Sequence, residues 1–341
     1  MDTHINDGIL EEFRRDLSEV WQELPNKAFF GVLLVAWFSL FHFLGNSTLG
    51  YVDTKSLFGY MYDAYTSGNR GLAESEDAFA LLIPFVVLAL YWSKRRTLVA
   101  QDLRSWTPGL VLLSGGLLLH LFGFLIQQPR VSIVGFFVGV YGLTGLAWGP
   151  AWLRTTFFPF FLFGFCVPMG SLAEPITFRL RLVVSHLVEF VSHFFLAIDV
   201  IRDGTMLRDP TNRYSYEVAA ACSGIRSLIA TFALAIILAF VSLRTWWKRG
   251  LMVLAALPLA LLGNLLRMLS IVIAAEYGGQ EAGTYVHDGG PMGIFSMLPY
   301  IPAFIGLLIL ERYLADPIGP PEGQDGRGPS GRQDLARPVA P

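Results

Sequence analysis

The amino-acid sequence predicts an all-α polytopic membrane protein with about eight transmembrane helices. Hydrophobic residues make up 53% of the 341 residues, and only 15% are charged. The mean hydropathy is +0.51. Soluble domains carry about a quarter charged residues, so this deficit indicates a surface that mostly faces lipid. The net charge of −2 carries no information about nucleic-acid binding, but the sequence lacks the basic patch that such binding requires.

Residues 1–27 predict a cytoplasmic amphipathic segment ahead of the first span. Apolar residues recur there at helical spacing, Asp7 is a candidate cap and Pro25 ends the pattern. We expect the helix to lie on the membrane surface, with a solvated helix as the alternative. The segment is too polar for the apolar core of a cleavable signal peptide.

Eight apolar stretches are candidates for crossing the hydrocarbon core, which takes about 20 residues of helix. They are residues 28–44, 78–92, 106–126, 131–148, 155–172, 220–241, 251–275 and 292–310. Each must be helical, because lipid offers no partner to unpaired backbone groups. Together they define a transmembrane domain over residues 28–314.

Lysine and arginine in the loops predict the orientation, because short cytoplasmic loops are rich in both. The loop after the second span contains Lys94, Arg95, Arg96 and Arg104, and the loop after the sixth contains Arg244, Lys248 and Arg249. Residues 276–291, after the seventh span, contain neither lysine nor arginine. The rule therefore places both termini in the cytoplasm and residues 173–219 outside.

The extracytoplasmic segment 173–219 predicts a helix and a small hairpin. Residues 178–201 are apolar but interrupted by charges, so we expect a helix that lies in the outer interface or re-enters it. Asp203–Gly204 and Asp209–Pro210 are turn signals between short alternating runs. Residues 315–341 are rich in glycine, proline and charge and predict a disordered cytoplasmic tail.

Cys222 is the first candidate catalytic residue. It lies near the start of the sixth span, which runs from outside to inside, so the positive end of the helix dipole faces it. Such a position lowers the pKa of a thiol, and the thiolate is the nucleophile. Arg226 lies one turn further along the same face. The alternative is a small residue that serves helix packing, as we predict for Cys166.

Arg267 and His287 are the next candidates. Arg267 lies about 24 Å along the seventh span and therefore near its outer end, with Asn264 one turn earlier. His287 is predicted in the outer loop, and histidine accepts a thiol proton near neutral pH. A snorkelling arginine and a solvated histidine are the alternatives. The predicted topology places all three residues at the outer face, which supplies the nucleophile, cation and base of an acyl transfer.

A metal site is the weaker interpretation of a second polar group. His186, Glu189 and His193 share about one helical face and include metal-ligand types, but a polar stripe on an interfacial helix is the preferred interpretation. We predict neither a metal nor an organic cofactor.

At these positions the sequence resembles the exosortase/archaeosortase family. The family pattern has Cys-Ser/Thr-Gly at the start of one span, Asn-x-x-Arg in the next and histidine before the last. The matching residues lie within 217–295 and are Cys222, Ser223, Gly224, Asn264, Arg267 and His287. With a histidine at the third motif position, the sequence resembles the bacterial exosortases.

The resemblance implies a membrane-embedded cysteine transpeptidase of the inner membrane. Its substrates would be exported proteins with a C-terminal sorting tail, composed of a Pro-containing motif, a spanning helix and a basic end. The enzyme would cleave near the motif and pass the new C-terminus to an acceptor, either a lipid or a glycan, or to water. Supporting roles would fall to Glu217, Ser223, Arg226 and Asn264.

The resemblance also implies a role for each catalytic candidate. Cys222 would attack the scissile carbonyl, and His287 would carry the proton to the leaving amine. Arg267 would stabilise either the oxyanion or the thiolate.

Two other functions compete with this one. A transporter would use Arg267 to bind an anionic substrate, and an envelope glycan or lipid transferase would not need Cys222. Transporters commonly contain inverted repeats and place their sites at mid-membrane, whereas this sequence has no visible repeat and its candidates cluster at one face. The lack of a His-Glu-x-x-His spacing in any span argues against a metalloprotease.

Overall fold

The computed structural model describes residues 3–48, 54–66, 75, 77–169, 174–218 and 225–315. The α-helices are α1 (Thr3–Glu23), α2 (Lys27–Leu44), α3 (Leu57–Thr66), α4 (Ile83–Ser93), α5 (Arg95–Val99), α6 (Gly109–Leu125), α7 (Pro129–Trp148), α8 (Pro150–Phe161), α9 (Glu174–Phe195), α10 (Ile225–Ser242), α11 (Trp246–His287) and α12 (Tyr300–Leu314). Short 3-10 helices lie at Ala78–Leu81, Leu162–Cys166 and Pro291–Met297. The strands are β1 (Ile201–Asp203), β2 (Met206–Arg208) and β3 (Ser215–Glu217).

Four described helical stretches are long and apolar enough to cross a membrane. They are Lys27–Leu44, Pro129–Trp148, Trp246–His287 and Ile294–Leu314. Three shorter apolar stretches are Ala78–Ser93, Gly109–Leu125 and Ser227–Ser242. These seven coincide with seven of the eight predicted spans, and they confirm a mostly helical membrane protein.

The predicted span at residues 155–172 is wrong as one continuous helix. α8 begins at Pro150 and ends at Phe161, the 3-10 helix ends at Cys166, and Val167 is extended. Pro159 removes a backbone donor inside α8, and Pro168 disfavours helical geometry in the residue before it. At about 1.5 Å per residue, α8 is about 18 Å long, which is shorter than the hydrocarbon core.

α1 begins at Thr3 rather than at the predicted cap, so Asp7 lies inside the helix. Phe13, Leu17 and Trp21 are exposed on it, as expected for a surface-lying helix. Asp16 is buried, and its carboxylate accepts a hydrogen bond from Arg95 Nε at 3.0 Å. That bond holds the pKa of Asp16 below its usual value. α1 therefore packs beside the basic loop that the positive-inside rule assigns to the cytoplasm.

α6 and α7 approach each other closely through glycines. A Cβ atom on Gly116 would lie 2.6 Å from the Gly135 carbonyl oxygen and 2.7 Å from the Gly139 nitrogen. Small residues allow such close backbone contact between membrane helices. Since the atoms in the way are backbone atoms, a larger residue at Gly116 must push the helices apart.

Gly116→Leu is therefore expected to destabilise the protein by more than the about 1–3 kcal/mol typical of overpacking. The neighbouring Gly115→Leu is the matched control, because a Cβ atom there would meet nothing within 4 Å. The midpoint of thermal unfolding in detergent is the quantity to measure for both variants. Equal unfolding midpoints for the two variants would contradict the proposed tight contact.

Residues 201–217 form a three-stranded antiparallel sheet in the order β1-β2-β3, one strand more than the predicted hairpin. Gly204, with φ of 62°, makes the turn between β1 and β2. The sheet and α9 bury Val188, Leu207 and Tyr214 in one core cluster with Met268 and other residues of α11. The part of α11 that contains Arg267 therefore packs against the predicted extracytoplasmic segment.

α11 is interrupted at Gly279, whose φ of 72° and ψ of −169° are non-helical. The chain then returns to helical geometry and the helix ends at His287. The predicted loop over residues 276–291 is thus wrong over most of its length, because helical turns lie on both sides of Gly279. Glycine adopts this conformation without the steric cost of a side chain.

Candidate active site

The seven candidate residues fall into three groups. Glu217, Asn264, Arg267 and His287 have described side chains. Cys222 and Ser223 lie outside the described residues, and Arg226 is described only by its place in the first turn of α10.

Arg267 and His287 lie together although 20 residues separate them. Arg267 Nη2 donates a hydrogen bond to the His287 carbonyl oxygen at 3.2 Å. The Arg267 side chain is part-buried, and its Nε is buried without a hydrogen-bond partner within the described ranges. A cation held in this way is suited to stabilise negative charge that develops beside it.

Asn264 lies one helical turn before Arg267 and is 2% exposed. Neither its amide nitrogen nor its amide oxygen has a hydrogen-bond partner among the residues that the structure describes. A buried unsatisfied polar group costs about 1–3 kcal/mol, so its presence in a native protein calls for an explanation, of which a catalytic role is one. Asn264 and Arg267 thus form a polar pair on the buried side of α11.

His287 is held by a carboxylate and an aromatic ring. Its Nδ1 lies 3.1 Å from Asp288 Oδ1, and its ring lies 6.4 Å from the Tyr216 ring at an angle of 24°. A carboxylate accepts the proton of Nδ1–H, and the neutral imidazole then has its acceptor at Nε2. This tautomer is the one that a general base requires when Nε2 faces the nucleophile.

Tyr216 is a residue of this site that the sequence analysis missed. It is buried, and its hydroxyl donates to the Gln280 carbonyl oxygen at 2.6 Å. The hydroxyl fills the place of a side chain at Gly283, where a Cβ atom would lie 2.3 Å from it. The sequence signal for this residue was the alternation Tyr214–Ser215–Tyr216, which is typical of a strand with one buried face. In the structure, that face packs against the small residue Gly283 of α11.

Glu217 does not join the group that Tyr216 forms with His287. It is exposed, whereas Tyr216 before it is buried, and successive side chains of a strand point to opposite faces. Among the described residues, the Glu217 side chain has no hydrogen bond or ion pair that supports its predicted role.

Ion pairs and hydrogen bonds fix β3 to α11 on both sides of Gly279. Arg213 pairs with Asp209 at 2.9 Å and with Glu276 at 2.8 Å. The backbone nitrogen of Ser215 donates to Gln280 Oε1 at 2.9 Å. The hydrogen bond from Arg213 is the main cause that lowers the pKa of Asp209 well below its usual value, so this anchor stays charged at physiological pH.

The weaker metal candidates pair with one another or with other side chains, and His186 Nδ1 lies 3.7 Å from Glu189 Oε2. Glu189 accepts a hydrogen bond from Arg202 Nε at 2.9 Å, and His193 Nδ1 lies 3.0 Å from Asp199 Oδ1. Within the described part of the chain, no group of three or more histidine, cysteine or acidic residues could hold a metal ion. These contacts fit the polar stripe that the sequence analysis preferred.

The comparison with protein-family models gives a match. The family model described as transmembrane exosortase (Exosortase_EpsH) matches residues 71–304. That range contains every candidate residue of the site. No curated protein and no solved structure matches the chain.

Proposed function

The chain belongs to the transmembrane exosortase family, and on that premise we propose that it is a cysteine transpeptidase that cleaves the C-terminal sorting tails of exported proteins. The new C-terminus passes to an envelope acceptor, a lipid or a glycan. Membership of the family supports the class of reaction, and the motif residues of this chain support the assignment of each catalytic role.

The hydrogen bond from Arg267 Nη2 to the His287 carbonyl oxygen, 3.2 Å long, carries the proposal. It joins two elements of the family pattern that are far apart in the chain. A transporter has no need for a base beside its cation, whereas acyl transfer uses both. The buried Asn264 in the preceding turn adds polar groups at the same place.

The proposed reaction has two steps. The sulfur of Cys222 attacks the scissile carbonyl carbon while His287 takes the thiol proton, and that proton goes to the leaving amine as the C–N bond breaks. The resulting thioester is attacked by an acceptor amine or hydroxyl, which gives up its proton and releases the Cys222 thiol. Arg267 stabilises either the oxyanion or the thiolate during these steps.

We also propose eight crossings of the membrane, cytoplasmic termini and a site at the extracytoplasmic face of the inner membrane. The fifth crossing is then shared by α8 and the 3-10 helix that follows it, instead of one continuous helix. Two features support this orientation. The bond between Asp16 and Arg95 ties α1 to a basic loop, and Arg267 lies about 32 Å along α11 from Trp246. This distance is close to the thickness of the hydrocarbon core, about 30 Å, so the basic loop before α11 and Arg267 lie on opposite sides of that core.

An exported reporter with a Pro-containing sorting tail tests the function. Cells that express both proteins should release a shortened reporter, and cells without the enzyme should keep the tail. Mass analysis of the new C-terminus separates transfer, which adds an acceptor mass, from hydrolysis. A tail that stays intact with every reporter from the same genome would refute the transpeptidase proposal.

Asp288→Asn is expected to slow tail cleavage. A neutral amide oxygen accepts the hydrogen bond from His287 Nδ1–H less strongly than the charged carboxylate does. Asp288 is exposed, so the loss should stay below the about 10²–10⁴-fold that general acid–base catalysis contributes. Asp199→Asn is the matched control, since it removes the carboxylate from a similar pair with His193. The initial rate of tail cleavage in proteoliposomes is measured for both variants. Equal rates for Asp288→Asn and Asp199→Asn would exclude Asp288 as a positioning residue.

A further inference from the structure

A cleft of about 390 Å³ lies between α10 and α11 near the start of α11. Phe232 and Phe240 line it from α10, and Val253 and Leu254 line it from α11. Among the described residues that line the cleft, Arg249 is the charged one. The cleft thus combines an apolar groove with a cation at the end that the loop charges predict to face the cytoplasm.

Arg249 is held in place by two rings and a carbonyl group. Its guanidinium carbon lies 4.6 Å from the Phe240 ring and 5.0 Å from the Trp246 ring. Its Nε donates to the Leu243 carbonyl oxygen at 2.9 Å. None of these groups carries a negative charge, and no carboxylate within the described residues forms an ion pair with Arg249. An anion would therefore complete the site.

Gly250 leaves the middle of the cleft open. A Cβ atom on this glycine would meet nothing within 4 Å. A ligand that extends from Arg249 toward Val253 and Leu254 can therefore pass over the helix backbone at this position.

We propose that this cleft binds one anionic phospholipid, with its phosphate on Arg249 and an acyl chain along the groove. Arginine offers a planar pair of donors that matches phosphate, and the rings suit the membrane interface. A zwitterionic lipid brings an ammonium group that Arg249 repels. Arg249 precedes Arg267 by 18 residues, about 27 Å of helix, so the lipid site is separate from the proposed active site and independent of the proposed reaction.

Native mass spectrometry of the full chain in detergent tests the proposal. The protein is mixed with equal amounts of phosphatidylglycerol and phosphatidylcholine of the same chain length. We expect one phosphatidylglycerol to be retained in several-fold excess over phosphatidylcholine. Arg249→Gln, which removes the charge, and Gly250→Leu, which fills the groove, should each abolish that excess.

Matched variants separate this site from general effects of charge and of added side chains. Arg312→Gln removes an exposed arginine from the last turn of α12, and Gly31→Leu adds a side chain to another open glycine position. Both should retain the lipid as the wild type does, and thermal unfolding should show that all four variants are folded.

Two results would overturn the proposal. The first is equal retention of the two lipids by the wild type, or unchanged retention by Arg249→Gln and Gly250→Leu. The second is displacement of the lipid by millimolar glycerophosphate, because binding of a headgroup alone would not need the apolar groove.

Discussion

Cys222→Ala is expected to abolish cleavage of the sorting tail, whereas Cys166→Ala should leave it unchanged. The sulfur of Cys222 is the only protein atom in the proposed reaction that forms a covalent bond to the substrate. Removal of a nucleophile that acts together with its base costs on the order of 10⁶-fold in rate, which is below detection in a reporter assay. Cys222→Ser should also be inactive, because a hydroxyl is a far weaker nucleophile than a thiolate.

Cys166 is a suitable control because it carries the same thiol group outside the family motif. It is buried, its sulfur lies 3.7 Å from the Ala80 carbonyl oxygen, and Tyr65 donates to its backbone carbonyl, which alanine keeps. Accumulation of a reporter thioester, released by hydroxylamine, should disappear with Cys222→Ala alone. If Cys222→Ala still processes the tail, Cys222 is not the nucleophile, and the transferase and transporter alternatives regain weight.

Arg267→Gln is expected to lower the cleavage rate by about 10²–10³-fold, the usual cost of losing one donor to an oxyanion. Arg267→Lys keeps the charge but loses the planar pair of donors, so it should recover only part of the rate. Ser270→Ala is the control at the same depth of α11, because the Ser270 hydroxyl only bonds the Leu266 carbonyl oxygen of its own helix.

The same variants distinguish the two roles that remain open for Arg267. If Arg267 stabilises the thiolate, Arg267→Gln should move the alkylation of Cys222 by iodoacetamide to higher pH. If it stabilises the oxyanion, the alkylation profile should stay in place while the cleavage rate falls. Unchanged cleavage by Arg267→Gln would show that the cation serves only to hold the His287 backbone.

The sequence predicted most of the helices because hydropathy over about 20 residues reports burial in lipid directly. It failed at residues 155–172, where Pro159 and Pro168 end the helical geometry inside an apolar stretch. It also failed at residues 276–291, because polarity there indicated a loop while local geometry allowed helix up to His287. Apolar composition alone does not show where a helix ends.

The candidate site was predictable in part. Arg267 and His287 carry a motif and occupy unusual places, whereas Tyr216 is one tyrosine among 12. Its position depends on contacts with Gln280 and Gly283, more than 60 residues further along the chain. Only the folded arrangement of β3 on α11 reveals it.

The interruption at Gly279 makes the distance between cation and base depend on a single backbone position. Arg267 lies before that glycine and His287 lies after it, on two helical pieces whose relative direction is set by two torsion angles. A residue with a side chain favours other values of φ, which would swing the second piece away from the first. A substitution at this position could therefore lower or alter the activity of a family member, although the residue contacts neither reacting group.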